Sequence, residues 1–174
     1  MEKIVSLDDY RDQAVVDNEP TDREVLAKIK NSALAAISRR EYCRAELFSK
    51  LARQHDKTGL IDEVLNWLEE LSYLDDQRYA AMFLRASISK RRGPTRIRME
   101  MKHKGLSNVS IDSALLESDV DWHELALESL QCRFSGPSMD VKEKSKRYRY
   151  LQGQGFSGDQ IHYALAEANR AVGE

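Results

Sequence analysis

The side chains able to do acid–base, nucleophilic or metal chemistry are few and scattered. His55, His103, His123 and His162 fall in no HExxH or H…CxxC pattern, and no GxSxG, P-loop or GxGxxG occurs. Lone histidines in a charged chain are expected at surfaces and helix ends. Cys43 and Cys132 have no CxxC spacing and no second pair, so neither a zinc site nor a disulfide framework is expected. Asp75 and Asp76 are adjacent. Two neighbouring carboxylates suit a helix N-terminus and its dipole better than a metal. Trp67, Trp122, Tyr42, Tyr73 and Tyr79 have rings that can stack on bases, but such residues more often bury the ring between modules and keep a polar tip wet. No catalytic group, cofactor or metal is expected, and the chain reads as a non-enzyme.

The chemistry that stands out is cationic. Across residues 85–104, Arg85, Lys90, Arg91, Arg92, Arg96, Arg98, Lys102 and Lys104 face the single acid Glu100. Around KEKSKRYRY, Lys144, Lys146, Arg147 and Arg149 repeat the arrangement, and Arg96 and Lys146 are fifty residues apart. Part of the first cluster is explained as cations at a helix C-terminus. Arg98 and Lys102 share a helix face and have no acid four residues before them. With Ile97 and Met101 directed to the core, the basic residues should face outward. Phosphate or an acidic protein groove would satisfy such a stripe; a merely solvated face is the plainer alternative. The net charge of −2 conceals this segregation, because residues 1–24 and 117–128 are acidic.

The elements that must carry the stripe are helices. High charge (32%) with 8 Gly and 3 Pro disfavours a turn-rich β protein. Residues 1–20 form an acidic arm with weak periodicity. Order is expected from Pro20, where Thr21 and Glu24 have capping-box spacing. Leu26, Ile29, Ala33, Leu34 and Ile37 then share one face. A second helix is expected over about 44–54 and a third over about 58–71. Sliding the chain by fifty superposes Ile61, Ile111 and Ile161, then Leu65, Leu115 and Leu165, then Leu51, Met101 and Leu151. Gly105 and Gly155 align as helix-ending turns, with His55 in the first copy. Gly93-Pro94 should open the fifth helix, Ser107 cap the sixth, Asp119 or Asp121 cap the seventh, and Ser157 with Gln160 box the ninth. The expectation is an all-α protein of three tandem three-helix, helix–turn–helix-like repeats, 21–73, 74–118 and 119–174. Each repeat has little core of its own, so they should stack into an elongated, curved array.

Three segments, in order, carry a family resemblance. Tyr73-Leu74-Asp75-Asp76-Gln77-Arg78-Tyr79-Ala80 is similar to the YLDDxRFA stretch of RecX proteins. Residues 93–105, GPTRIRMEMKHKG, resemble their GPxRIRxELxxKG stretch, and residues 40–47, REYCRAEL, resemble RxHSRxEL. Cys43 stands where the family usually has a capping Ser, and His55 replaces a turn Gly. A thiol is the poorer acceptor, a loss of up to ~1 kcal/mol at that helix start. Gly136-Pro137-Ser138 departs as a looser loop in the third repeat.

The resemblance implies a regulator that binds the RecA filament on single-stranded DNA, lodging in its groove and inhibiting its extension, strand exchange, ATPase and the co-protease activity behind the SOS response, with no cofactor. Lys90, Arg91, Arg92, Arg96, Arg98, Lys102, Lys104, Lys144, Lys146, Arg147 and Arg149 are the expected partner-binding residues. A direct nucleic-acid binder using the same stripe is the alternative, with weak direct DNA contact compatible with either. No basic-then-apolar start and no membrane-length apolar run is evident. A cytoplasmic monomer is expected.

Overall fold

The computed structural model describes residues 20–136 and 140–170, so the 1–20 arm lies, but for Pro20, outside the described residues, as do Pro137 and Ser138 of the third-repeat loop. Among the described residues the elements are all helical: α1 (Asp22–Ile37), α2 (Arg44–Leu51), α3 (Thr58–Glu70), α4 (Asp76–Ile88), α5 (Pro94–His103), α6 (Asn108–Leu116), α7 (Trp122–Arg133), α8 (Val141–Gln154) and α9 (Gly158–Arg170).

The starts follow local chemistry. Thr21 and Glu24 complete a reciprocal capping box on α1. Asp75 accepts the Gln77 and Arg78 amides of α4. Pro94 sits in the first turn of α5, where its missing N–H costs nothing. Ser107 caps α6, and Asp121 rather than Asp119 caps α7. Ser157 and Gln160 box the start of α9.

Packing departs from periodicity in one place. The face of α1 that is buried runs through Ile29, Ala33 and Ala36, while Leu34 is 37% exposed. Ala33 and Ala36 lie in one core with the apolar face of α3, and Leu34 falls on the flank. From α3, Ile61, Val64, Leu65 and Leu68 enter that core. Each such side chain contributes about 1.5–3 kcal/mol of burial.

Three cores result. The first takes Ile29, Leu47, Leu51, Ile61 and Leu65; the second Tyr79, Leu84, Ile97, Met101 and Ile111; the third Leu125, Leu130, Leu151, Phe156 and Ile161. Each encloses three consecutive helices, α1–α3, α4–α6 and α7–α9. Cys43 belongs to the second core although it precedes α2. Ile88 and Trp122 pack against both the second and third cores.

The middle helices of the units meet end to end. At the C-terminus of α8, Gln154 O accepts the Gly93 amide (2.8 Å) and Gly155 O accepts the Thr95 amide (3.2 Å), both from the start of α5. Gly155 makes the left-handed turn at φ +90°, and a Cβ there would overlap Arg96 backbone and Cβ; a Cβ on Gly93 would overlap Gly155. At the other end of α5, Gly105 turns at φ +89° beneath Ala45 of α2, and the Cys43 thiol donates to Lys104 O at 3.1 Å. Two joints fifty residues apart thus link α8 to α5 and α5 to α2.

The outer ends of this row differ. α2 stops at Leu51, three residues short of expectation, and His55 is not among the described residues with positive φ. Instead its amide returns to Leu51 O at 3.0 Å. α8 begins a turn early, capped by Asp140, so Glu143, in the register of Gly93, lies inside the helix.

Candidate partner-binding face

The eleven expected cations separate into two groups. Arg92 and Arg96 both bind Glu100, Arg96 through Nε at 2.9 Å. Arg96 also donates across the joint to Gly153 O and Gln154 Oε1, each at 3.3 Å. Arg98 pairs with Asp112 on α6. Lys104 reaches Glu46 Oε1 at 3.1 Å across the other joint. These four are occupied by the fold.

Arg147 is not on the surface. It is 1% exposed and donates to Gly136 O (2.9 Å), Ser135 O (3.4 Å) and Glu143 (3.0 Å), with its guanidinium against the Phe134 ring. Its place as a partner contact is therefore corrected: it pins the segment between α7 and α8. The reason is that α8 turns this position inward, beside Leu151 one turn on. Its neighbour Lys146 is exposed, also near Phe134. The fifty-residue match of Arg96 and Lys146 thus does not carry one shared role.

The remaining cations are free of ion pairs among the described residues. Lys90 and Arg91 are exposed at the α4–α5 turn, and Lys102 is exposed on α5. Arg91 holds a left-handed backbone, φ 54°, which a side chain tolerates at a cost of about 1–2 kcal/mol. Lys144 and Arg149 are exposed on α8, Arg149 donating through Nε to Ser145 O of its own helix.

Of the acids that hold the first group, only Glu100 belongs to the stripe itself. Arg96 and Glu100 have i,i+4 spacing, a legible signal when the acid is sought after the base as well as before it. Asp112 announces itself only through its repeat partner Asp62, which binds Arg44 at 3.0 Å. Glu46 has no local signal. It collects Arg40, Lys104 and the Tyr79 hydroxyl, from three separate elements. Burial alone would raise the Glu46 carboxyl, but the Arg40 and Lys104 hydrogen bonds outweigh it and hold it below the ordinary carboxylate value. Burial, with Glu46 beside it, pushes Tyr79 up to about 12.

Four of the five aromatic rings serve packing, and the paired acids serve helix starts. Tyr42 and Tyr79 are buried, Trp122 bridges two cores, Trp67 packs on the first, and Tyr73 is 55% exposed. Asp75 caps its own helix while Asp76 accepts the Arg44 amide of α2 at 2.8 Å. That bond stands in for the cap that the Cys43 side chain does not make. Burial raises the Cys43 thiol. No group of three or more candidate metal ligands occurs among the described residues, and none of the described helices is long and apolar enough to cross a membrane.

Known proteins are similar to this chain in sequence and in fold. Residues 75–115 match the family description "RecX, second three-helix domain", and residues 119–165 match "RecX, third three-helix domain". The regulatory protein RecX of Vibrio cholerae serotype O1 (strain ATCC 39541) is 43% identical over 141 residues, covering 80% of this chain and 93% of that protein. The regulatory protein RecX of Halorhodospira halophila is 35% identical over 142 residues, covering 81% and 88%. The crystal structure of RecX from Lactobacillus salivarius is similar at a TM-score of 0.73 and 26% identity, over 84% of this chain and 97% of that one. With half its length matched by the two repeat descriptions and most of it by these relatives, the chain belongs to the RecX family.

Proposed function

We propose that the chain binds the RecA filament on single-stranded DNA and inhibits its extension, and through that its strand exchange, ATP hydrolysis and co-protease activity. It acts as a cytoplasmic monomer, by binding and not by catalysis, with 21–73, 74–118 and 119–174 as its units. The observation that carries this reading is the set of exposed cations left over once the fold has taken its own: Lys90, Arg91 and Lys102 on the middle unit, with Lys144, Lys146 and Arg149 on the third. Spread over two units joined end to end, they suit an extended anionic partner better than a small ligand.

The test is RecA's DNA-dependent ATP hydrolysis with this chain added well below one per RecA protomer. A progressive fall in rate is expected, and no change at equal concentration would sink the proposal. Reversal of Arg96 is a poor probe, because it would also break the joint to α8. Arg91→Glu with Lys102→Glu is the cleaner pair. We expect inhibition to weaken roughly tenfold with unchanged circular dichroism, as for loss of about 1.4 kcal/mol of charge-assisted contact.

A further inference from the structure

In two of the units an acid of the third helix is paired with a base of the second, and the third unit has changed this chemistry. In the first unit Asp62 on α3 binds Arg44 on α2. In the second, Asp112 on α6 binds Arg98 on α5. Fifty residues on from the second unit, Asp112 becomes His162 and Arg98 becomes Tyr148; in the first unit that base position is Phe48, and Arg44 stands in the register of Lys144. The ion pair across the groove is replaced by two rings, 5.7 Å apart between centroids and inclined at 57°.

The consequence is an open groove of about 500 Å³ between α8 and α9. Leu165 lies in its lining, where Leu115 stands in the second unit, and Ala166 replaces the bulkier Leu116. Lys144 and Arg149 also line it, both exposed, and no carboxylate is among its described lining residues. Neither cation is in an ion pair among the described residues. Relative to the second unit the rings replace an acid and a base, while Lys144 and Arg149 stand where that unit has Pro94 and Met99. A polyanion whose repeating unit carries a flat ring answers both features: an aromatic face for stacking and separate cations for the backbone. An acidic peptide would use the cations but would give no reason for the exchange of Asp for His and Arg for Tyr.

We propose that the α8–α9 groove is a binding site for single-stranded nucleic acid, in which a base stacks on the Tyr148–His162 pair and the flanking phosphates meet Lys144 and Arg149. The site is distinct from the cations of the middle unit. It operates on the bare strand, so its test needs no protein filament and its failure would leave the filament reading standing.

The experiment is fluorescence anisotropy of a labelled oligothymidylate with the full chain. His162→Asp restores the residue type of the other two units at an exposed position. It is expected to weaken binding roughly tenfold, the scale of one base–aromatic contact, with unchanged helicity. Arg149→Glu should do the same and lower the salt dependence. Tyr148→Phe keeps the ring and should bind as the parent, whereas Tyr148→Leu should not. Arg91→Glu, on the other unit, should leave oligothymidylate affinity within about twofold. Photocrosslinking with 5-iododeoxyuridine in the strand should mark Tyr148 or His162. Parental binding by His162→Asp, crosslinks confined to α5, or displacement of the strand by polyglutamate at equal charge concentration would each overturn the proposal, the last by showing that the groove reads charge alone.

Discussion

The two joints of the row share a register and a left-handed glycine, and differ in cement. Between α8 and α5 the contact is mostly main chain: two amides of α5 on two carbonyls of α8, with glycine on both sides. Between α5 and α2 a thiol and an ion cluster do the work. Cys43 Sγ donates to Lys104 O, and Glu46 draws in Lys104, Arg40 and Tyr79. The register is conserved to the residue: Gly93 replaces Cys43, Arg96 replaces Glu46, and Gln154 replaces Lys104. A repeat can thus keep its geometry while the interaction that fastens it changes from acid–base pairing to a guanidinium on an amide oxygen.

The largest expected effect is at the glycine joint. Gly155→Ala puts a Cβ on Arg96 main-chain atoms at φ +90°, so strain and overpacking add. We expect a loss of about 3 kcal/mol in urea unfolding. Gly105→Ala also has positive φ, but the atom it meets closely is the Ala45 methyl. Pairing it with Ala45→Gly should recover part of its loss, and no such rescue exists for Gly155. An equal loss at both glycines, unrescued, would erase the contrast.

Next comes the ionic joint. Glu46→Ala leaves Arg40, Lys104 and the Tyr79 hydroxyl without their shared acceptor, a loss of about 2 kcal/mol by the same measurement. A loss below about 0.5 kcal/mol would place the cluster with ordinary surface ion pairs.

The pH dependence should separate the joints further. The Glu46 carboxyl is lowered in the folded chain, so its contribution is full above the ordinary carboxylate pKa. It is lost as pH falls through the lowered value. Acid titration of stability should therefore be shallower in Glu46→Gln than in the parent, while Gly155→Ala should shift the whole curve without changing its shape.

The smallest effect tests the glycine beside the joint. Gly153 lies in α8 with nothing near its would-be Cβ. Gly153→Ala should gain about 0.5 kcal/mol by helix propensity, marking Gly155 as the position where glycine is required.

Much of this was legible in the sequence because helix starts are written locally. Thr21, Asp75, Gly93-Pro94, Ser107 and Ser157 each cap or open the helix their spacing announces. The fifty-residue period also located both joint glycines. What periodicity did not give is who holds whom. Arg92, Arg96, Arg98 and Lys104 look like one stripe with their neighbours, yet Arg92 and Arg96 close on Glu100 within it, and the partners of Arg98 and Lys104, Asp112 and Glu46, sit on other helices. Arg147 reads as one more surface base, and only the fold of α8 turns it inward. Charge patterns report composition along a face; the destination of each charge is a tertiary fact.

A row made by one repeated joint raises the question of where it stops. A polymer chemist would look for terminators, and both ends have one. At the α2 end, His55 stands where a left-handed glycine would swing the backbone toward a further helix. At the α8 end, the extra turn capped by Asp140 buries within the helix the register that Gly93 uses to receive a neighbour. Each outer end thus lacks one feature by which the inner joints are made: the left-handed glycine at the α2 end, and the Gly93-like helix start at the α8 end.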